Sequence, residues 1–140
     1  MNPLYRNFKT DTNTEQSGVV LELGLNTQGQ MMGIRIARAG GANTTYEKRM
    51  ETLVKPYKRQ IQNELLDKET MLGLVKEAYV DTIILDWENM EDENCQPLPY
   101  SKAACRKLID DLPELFNEIM TMSTKVSLYR SAILEADSKN

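Results

Sequence analysis

The spacing of apolar residues changes once along the chain, at Gly40-Gly41, and this change constrains the fold more than any other feature. Before it, residues 19–25 and 31–38 are rich in β-branched and large apolar side chains, separated by a polar turn that contains Gly29. This pattern is typical of a β-hairpin. After it, apolar residues recur at steps of three or four, as in amphipathic helices. We therefore predict an α+β, mainly α chain in which an N-terminal β-hairpin at 19–38 is followed by about four helices.

The segment before the hairpin is polar. Residues 9–18 contain no apolar side chain, so we predict that residues 1–18 form a mobile arm and that 19–140 form one globular domain. A length of 140 residues with 41% apolar side chains fits a single domain. Two strands alone are marginally stable in water, so the hairpin is expected to pack on the helices or on a second copy of itself.

The first two helices are predicted at 44–62 and 67–89. Thr44 and Glu47 have the spacing of a capping box, and Pro56 predicts a kink or break near residues 54–55. Asp67 is the expected cap of the second helix. One face of that helix carries its large apolar side chains, which are Leu72, Val75, Tyr79, Ile83 and Trp87.

Two further helices are predicted after a loop at 91–99. Ser101 is expected to cap a helix at 101–111, and Pro113 fits the first turn of a last helix at 113–136, with Asp111 as its candidate cap. Apolar residues repeat along that last helix at steps of four and three, at Leu115, Ile119, Met122, Val126, Tyr129 and Ile133.

This stripe is broader than a two-stranded helical seam needs, because Phe116 and Met120 widen it. Either the stripe packs on the other helices or part of it meets a partner, and methionines suit a surface that accepts varied apolar side chains. The candidate partner-binding residues are therefore Phe116, Met120, Met122, Val126 and Tyr129.

Signals for catalysis, cofactors and metals are weak. The chain has no histidine, which removes the commonest general base and metal ligand, and no serine or cysteine has an adjacent activating base. The acidic residues 91–93 with Asn94 are a solvated loop or a weak cation site, and Gly40-Gly41 form a turn or an anion cradle. We assign no catalytic, cofactor-binding or metal residue, and expect no enzyme activity and no cofactor.

Charge and hydropathy limit the classes of partner that the chain is expected to bind. Seventeen basic against twenty-one acidic residues give a net charge of -4, which disfavours nucleic acid as a partner. Apolar runs are too short to cross a membrane, and no secretion signal precedes the fold, so Cys95 and Cys105 are expected as free thiols. One basic region could face nucleic acid, but Tyr46 and Tyr57 within it lie on the apolar face and favour core packing; its basic residues are Lys48, Arg49, Lys55, Lys58 and Arg59.

Several stretches, in order, resemble the tail assembly chaperones of long-tailed bacteriophages. They are residues 38–43 followed by Tyr46, 55–61, Asp86-Trp87 with the acidic loop, 99–101 and 112–116. The resemblance runs from about Asn7 to Ala136 and lies in the order and spacing of motifs, none of which is specific alone. The family often has a glycine near Asn94 or Cys95, which is missing here.

The resemblance implies a late phage protein of the host cytoplasm that is absent from the mature virion. Such a chaperone binds the tape measure protein, keeps it soluble and recruits tail tube subunits. The hairpin edge and the apolar stripe also allow a homo-oligomer. The alternatives are a structural virion protein, such as a tail terminator or connector subunit, and a nucleic-acid-binding regulator that uses the basic first helix.

Overall fold

The computed structural model describes residues 2–130 of the chain. Two short helices, α1 (Pro3–Phe8) and α2 (Thr12–Ser17), precede the strands β1 (Val19–Leu25) and β2 (Met31–Ile36). The remaining elements are α3 (Thr45–Val54), α4 (Lys58–Gln62), α5 (Lys68–Thr82), β3 (Ile84–Glu88), α6 (Lys102–Asp111) and α7 (Pro113–Ser123). Single 3₁₀ turns cover Lys55–Tyr57 and Val126–Tyr129.

The strands form one antiparallel sheet in the order β1-β2-β3. Leu21 pairs with Ile34, and Ile34 pairs with Trp87 on the other side, so these three side chains lie on the same face of the sheet. That face is covered by helices and carries the buried side chains of β2 and β3. The opposite face carries the polar row of Arg35 and Asp86.

The predicted fold class, an N-terminal hairpin followed by about four helices, is wrong. Helices and not strands begin the described chain, and the sheet in its middle has three strands instead of two. The predicted hairpin strands do pair with each other, but β2 is the central strand of the sheet because β3 pairs with its second edge.

The third strand lies within the segment predicted as a helix at 67–89. Helix α5 ends at Thr82, and residues 84–88 pair with β2 over the register from Gly33 to Ile36. A strand buries Ile84 and Trp87 on one side and leaves Asp86 and Glu88 in water. Pairing with a strand distant in the sequence therefore overrides the local helical pattern.

The segment predicted as a mobile arm at 1–18 contains the helices α1 and α2. Helix α2 is capped by Asp11, whose side chain accepts hydrogen bonds from the amides of Asn13 and Thr14 at 2.9 and 3.3 Å. Glu15 in this helix is 1% exposed. The arm is held by this polar side chain, which an apolar pattern cannot reveal.

Several helix boundaries are confirmed. The side chains of Asp67 and Ser101 accept hydrogen bonds from the amides of Thr70 and Ala104, each at 3.0 Å, so both residues are caps. The first predicted helix breaks before Pro56, where a 3₁₀ turn separates α3 from α4.

Two predicted caps are wrong. Thr44 makes no capping side-chain bond, and Asn43 instead accepts from the Thr45 amide at 3.4 Å. Helix α7 starts with Pro113 at its first turn, as predicted, but its N-cap is Leu112 and not Asp111. The helix ends at Ser123 instead of continuing to 136, and the predicted residues 131–136 lie outside the described part of the chain.

Helices α5 and α7 meet in the core through aromatic rings. The rings of Tyr79 and Phe116 lie edge to face at 5.3 Å, and those of Tyr46 and Tyr79 at 5.2 Å. Ile119 and Ile83 are fully buried beside them. Among residues 2–130, no helix is long and apolar enough to cross a membrane.

Candidate functional site

The residues predicted to bind a partner lie mostly inside the molecule. Phe116 is 2% exposed and Tyr129 is fully buried, with its hydroxyl donating to the carbonyl of Ile36 at 3.4 Å. Met120 and Met122 are half-buried and pack against the core, while Val126 is half-buried in the 3₁₀ turn. Phe116 and Tyr129 therefore belong to the core and offer a partner no surface in this structure, while Met120, Met122 and Val126 are only partly covered.

The structure instead forms an open groove between α6 and the acidic loop, which we call the acidic groove. Its volume is about 1040 Å³. That volume lies at the upper end of the roughly 300–1000 Å³ of small-molecule pockets, and because the groove is open it also has room for a polypeptide segment. Its lining residues are Glu91, Asp92, Glu93, Asn94, Leu98, Ala103, Ala104, Lys107, Leu108, Asp111 and Leu112.

The floor of the groove is a row of apolar side chains along α6. Cys105 and Ile109 occupy the buried side of this helix. Ala104, Leu108 and Leu112 follow at steps of four on the neighbouring side, so they form a line along the helix. Leu112 is 48% exposed, so the apolar surface of α6 is wider than the core covers.

The acidic wall of the groove is a folded turn and not a loose loop. The Asp92 carboxylate accepts hydrogen bonds from the amides of Asn94 and Gln96 at 2.9 and 3.0 Å. The Glu91 carboxylate accepts from the amide and hydroxyl of Thr27 at 2.6 and 2.5 Å, which ties the turn to the β1–β2 hairpin. Cys95 has a φ of 61°, a left-handed conformation that favours glycine.

Two aromatic residues fix this wall on the sheet. The indole of Trp87 donates to the carbonyl of Leu98 at 2.7 Å, and the hydroxyl of Tyr100 donates to the carbonyl of Ile84 at 2.9 Å. Their rings lie edge to face at 5.0 Å. Strand β3, which the sequence did not predict, therefore positions the wall, and Ser101 starts the floor helix directly after it.

The groove carries an excess of negative charge. Its lining contains the carboxylates of residues 91, 92, 93 and 111 against the single amine of Lys107. Lys107 donates to Asp111 at 2.5 Å, and this hydrogen bond, together with the charges of Asp111 and Glu93, raises the pKa of the amine. Glu93 is exposed on the loop side of the groove, and Lys107 is the one lining residue that offsets its charge.

A cation site in the acidic loop gains no support. Glu91 and Asp92 use their carboxylates to hold backbone and hydroxyl donors, as described above. Within residues 2–130 no group of three or more acidic or cysteine side chains has the arrangement of a metal site.

The turn at Gly40-Gly41 does hold an anionic group, but this group is a carboxylate of the protein itself. The Glu15 carboxylate accepts hydrogen bonds from the amide of Ala42 at 2.9 Å and from the hydroxyl of Thr10 at 2.6 Å, and it pairs with Arg38. Burial alone would raise the pKa of Glu15, but these hydrogen bonds and the Arg38 charge outweigh it and lower the pKa. Nothing in the local sequence points to this network.

The predicted basic face is partly neutralised. Arg49 pairs with Asp81 at 2.9 Å and lies 3.7 Å from Glu77, so its charge is directed toward α5. Tyr46 is half-buried against Tyr79, as its place on the apolar face predicted.

A second exposed apolar surface lies on α1. We call it the α1 cluster; its members are Leu4, Tyr5 and Phe8, which are 64%, 57% and 69% exposed. Lys9 lines the same surface, and no carboxylate does. The α1 cluster is therefore apolar like the floor of the acidic groove but opposite to it in charge.

Comparison with known proteins places the groove inside a family match. The model of the YdaY prophage protein family matches residues 41–140. This range holds the complete lining of the acidic groove and includes β3, whereas β1 and β2 precede it. No curated protein and no solved structure matches the chain.

Proposed function

We propose that this chain, which belongs to the YdaY prophage protein family, is a non-enzymatic tail assembly chaperone that acts through the acidic groove. In this proposal it binds the tape measure protein of its phage, keeps that protein soluble and recruits tail tube subunits in the host cytoplasm. The prophage family supports the phage setting, and the resemblance in motif order supports the choice of tail assembly.

One observation carries the proposal: an exposed apolar floor beside a wall of fixed carboxylates. A chaperone must cover apolar surface on its client and leave the complex soluble. The floor from Ala104 to Leu112 supplies apolar contacts, and the acidic wall adds charge that keeps complexes apart in solution. Because the wall is braced by Trp87 and Tyr100, the groove exists before a partner binds.

The chemistry of the side chains supports binding over catalysis. The sequence has no histidine. Burial raises the pKa of the Cys105 thiol to about 12, so this thiol stays protonated and is a poor nucleophile near neutral pH. Burial likewise raises the pKa of Tyr100 to about 12, and its hydroxyl serves as a structural donor.

The test is co-expression with the tape measure protein of the same phage. We expect the wild-type chain to raise the soluble fraction of the tape measure protein and to co-purify with it. Leu112→Ser, which removes apolar floor, should lower the yield of complex several-fold. Phe8→Ser, a matched change on the α1 cluster, should leave the yield unchanged. A tape measure protein that stays insoluble and unbound beside the wild-type chain refutes the proposal.

Mass spectrometry of purified phage particles adds an independent test. A chaperone leaves the assembly, so peptides of this chain should be missing from mature particles that contain tail tube peptides. Stoichiometric amounts of the chain in the particles would instead favour a structural virion protein.

A further inference from the structure

We propose that the acidic groove binds its partner as an amphipathic α-helix whose apolar stripe is flanked by lysines or arginines. This inference rests on the proposed function for the identity of the partner, but its evidence is the shape, backbone pairing and charge of the groove.

The floor has the length and spacing that a helix requires. From Ala104 to Leu112 the row runs eight residues along α6, which is about 12 Å and slightly more than two helical turns. A partner helix that presents apolar residues at i, i+3 or i+4, and i+7 covers this length. The small side chains of Ala103 and Ala104 let it approach closely at one end, and the exposed Leu112 offers contact area at the other.

The backbone of the groove is mostly paired and so suits an added strand poorly. In α6 the Ala104 amide donates to the Ser101 side chain and the Cys105 amide to the Ser101 carbonyl, and the amides that follow are paired within the helix. In the acidic wall, Asp92 donates to Gln96 at 2.9 Å and Leu98 donates to Met90 at 2.8 Å. Recognition must therefore use side chains, and an α-helix brings its own backbone hydrogen bonds already satisfied.

The charges on both sides of the floor select a basic partner. Glu93 stands on the loop side and Asp111 on the helix side, where Lys107 offsets only part of the negative charge. Basic residues flanking an apolar stripe would meet carboxylates on either side, whereas acidic flanks would meet like charge.

The test measures fluorescence anisotropy of two labelled peptides of about 18 residues, long enough to form a helix on binding. Both carry the same leucine stripe; one has lysine flanks and the other glutamate flanks. We expect the wild-type chain to bind the lysine peptide at least about tenfold more tightly, with a preference that weakens as salt rises. Equal affinities for the two peptides would overturn the charge argument.

Substitutions then locate the binding. Glu93→Lys should reduce the preference for the lysine peptide several-fold, while Glu93→Gln should give an intermediate value. Leu112→Ser should lower the affinity for both peptides several-fold, and Phe8→Ser should leave both affinities unchanged. Loss of binding with Phe8→Ser but not with Leu112→Ser would move the site to the α1 cluster and refute the inference.

A second copy of the chain is the competing occupant, because α3 and α4 carry a basic region. An unlabelled peptide of residues 45–65 should not displace the lysine peptide at equal concentration, and light scattering should give a mass independent of protein concentration. Displacement together with a dimer mass would assign the groove to self-association. If co-expression succeeds while the chain binds both peptides equally, the chaperone proposal stands and this inference fails. If the chain prefers the lysine peptide but does not bind the tape measure protein, the groove still binds a basic helix and the chaperone proposal fails.

Discussion

Helices α6 and α7 follow each other and pack together, yet their apolar side chains differ in how far the core buries them. On α7, Phe116 and Ile119 are fully enclosed by the core. On α6 the core covers Cys105 and Ile109, Ala104 and Leu108 are half-buried against it and line the acidic groove, and Leu112 at the end of the row is 48% exposed. The helix with the longer and more regular apolar pattern is the one that stabilises the fold. A surface for a partner lies where apolar residues exceed what the core covers.

The sharpest test of this difference is Phe116→Ala on α7. The change removes a ring that is 2% exposed and stacks on Tyr79, so we expect a loss of about 4 kcal/mol in the free energy of unfolding. Urea denaturation followed by circular dichroism measures it. A loss below about 1 kcal/mol would mean that the α7 stripe is not core and would restore it as a partner surface.

The second prediction concerns the polar network behind α7. The carbonyl of Ser123 at the end of α7 accepts from the amide of Ala39, next to the Arg38–Glu15 pair. Glu15→Gln leaves Arg38 without its charged partner, and we expect a loss of about 2 kcal/mol in the free energy of unfolding at pH 7.

The same substitution should change the pH dependence of stability. Because folding lowers the pKa of Glu15, its carboxylate stabilises the fold fully above the ordinary carboxyl pKa of roughly 4.3, and this contribution is lost as pH falls through the lower folded-state pKa. Wild-type stability should therefore decline more steeply than that of Glu15→Gln on acidification below about pH 5. Parallel pH profiles in urea denaturation would contradict this assignment.

The sequence predicted features set by neighbouring residues and missed those set by distant ones. The caps Asp67 and Ser101 and the break at Pro56 depend on residues within one helical turn, and each was predicted correctly. Strand β3 depends on pairing with β2, and the spacing of Ile83 and Trp87 fits a helix as well as a strand. The β-branched run at residues 83–84 was the one local signal for a strand.

The candidate site divides in the same way. The acidic loop and the helix at 101–111 were both predicted, but their meeting as a groove depends on Trp87 and Tyr100, which hold the loop beside α6 only because β3 exists. The burial of Phe116 and Tyr129 could not be predicted, because an apolar pattern does not show which other elements cover it. Burial of the Glu15 carboxylate was likewise invisible, since its partner Arg38 lies across the hairpin.

The third prediction concerns Cys95 in the acidic wall of the groove. Cys95 adopts a φ of 61°, a left-handed conformation that favours glycine. Cys95→Gly relieves a cost of about 1–2 kcal/mol for a left-handed residue, offset by the greater freedom of glycine in the unfolded chain. We expect a gain of roughly 0.5 kcal/mol in the free energy of unfolding, measured by urea denaturation. Cys95→Ser, which keeps the Cβ atom, should show no gain; equal stabilisation by both would contradict the strain argument.

The smallest effect on stability is expected for a substitution of Leu112. This substitution tests directly whether the apolar row of α6 contributes less to stability than the apolar side chains of α7. Leu112→Ser removes a side chain that is 48% exposed, and the new hydroxyl occupies the N-cap of α7, which has no capping side chain in the wild type. Loss of about 1 kcal/mol of apolar burial is offset by a similar gain from the cap. The free energy of unfolding should stay within about 0.5 kcal/mol of wild type while peptide binding weakens. A loss of free energy of unfolding as large as that expected for Phe116→Ala would show that the core buries the apolar side chains of α6 as fully as those of α7.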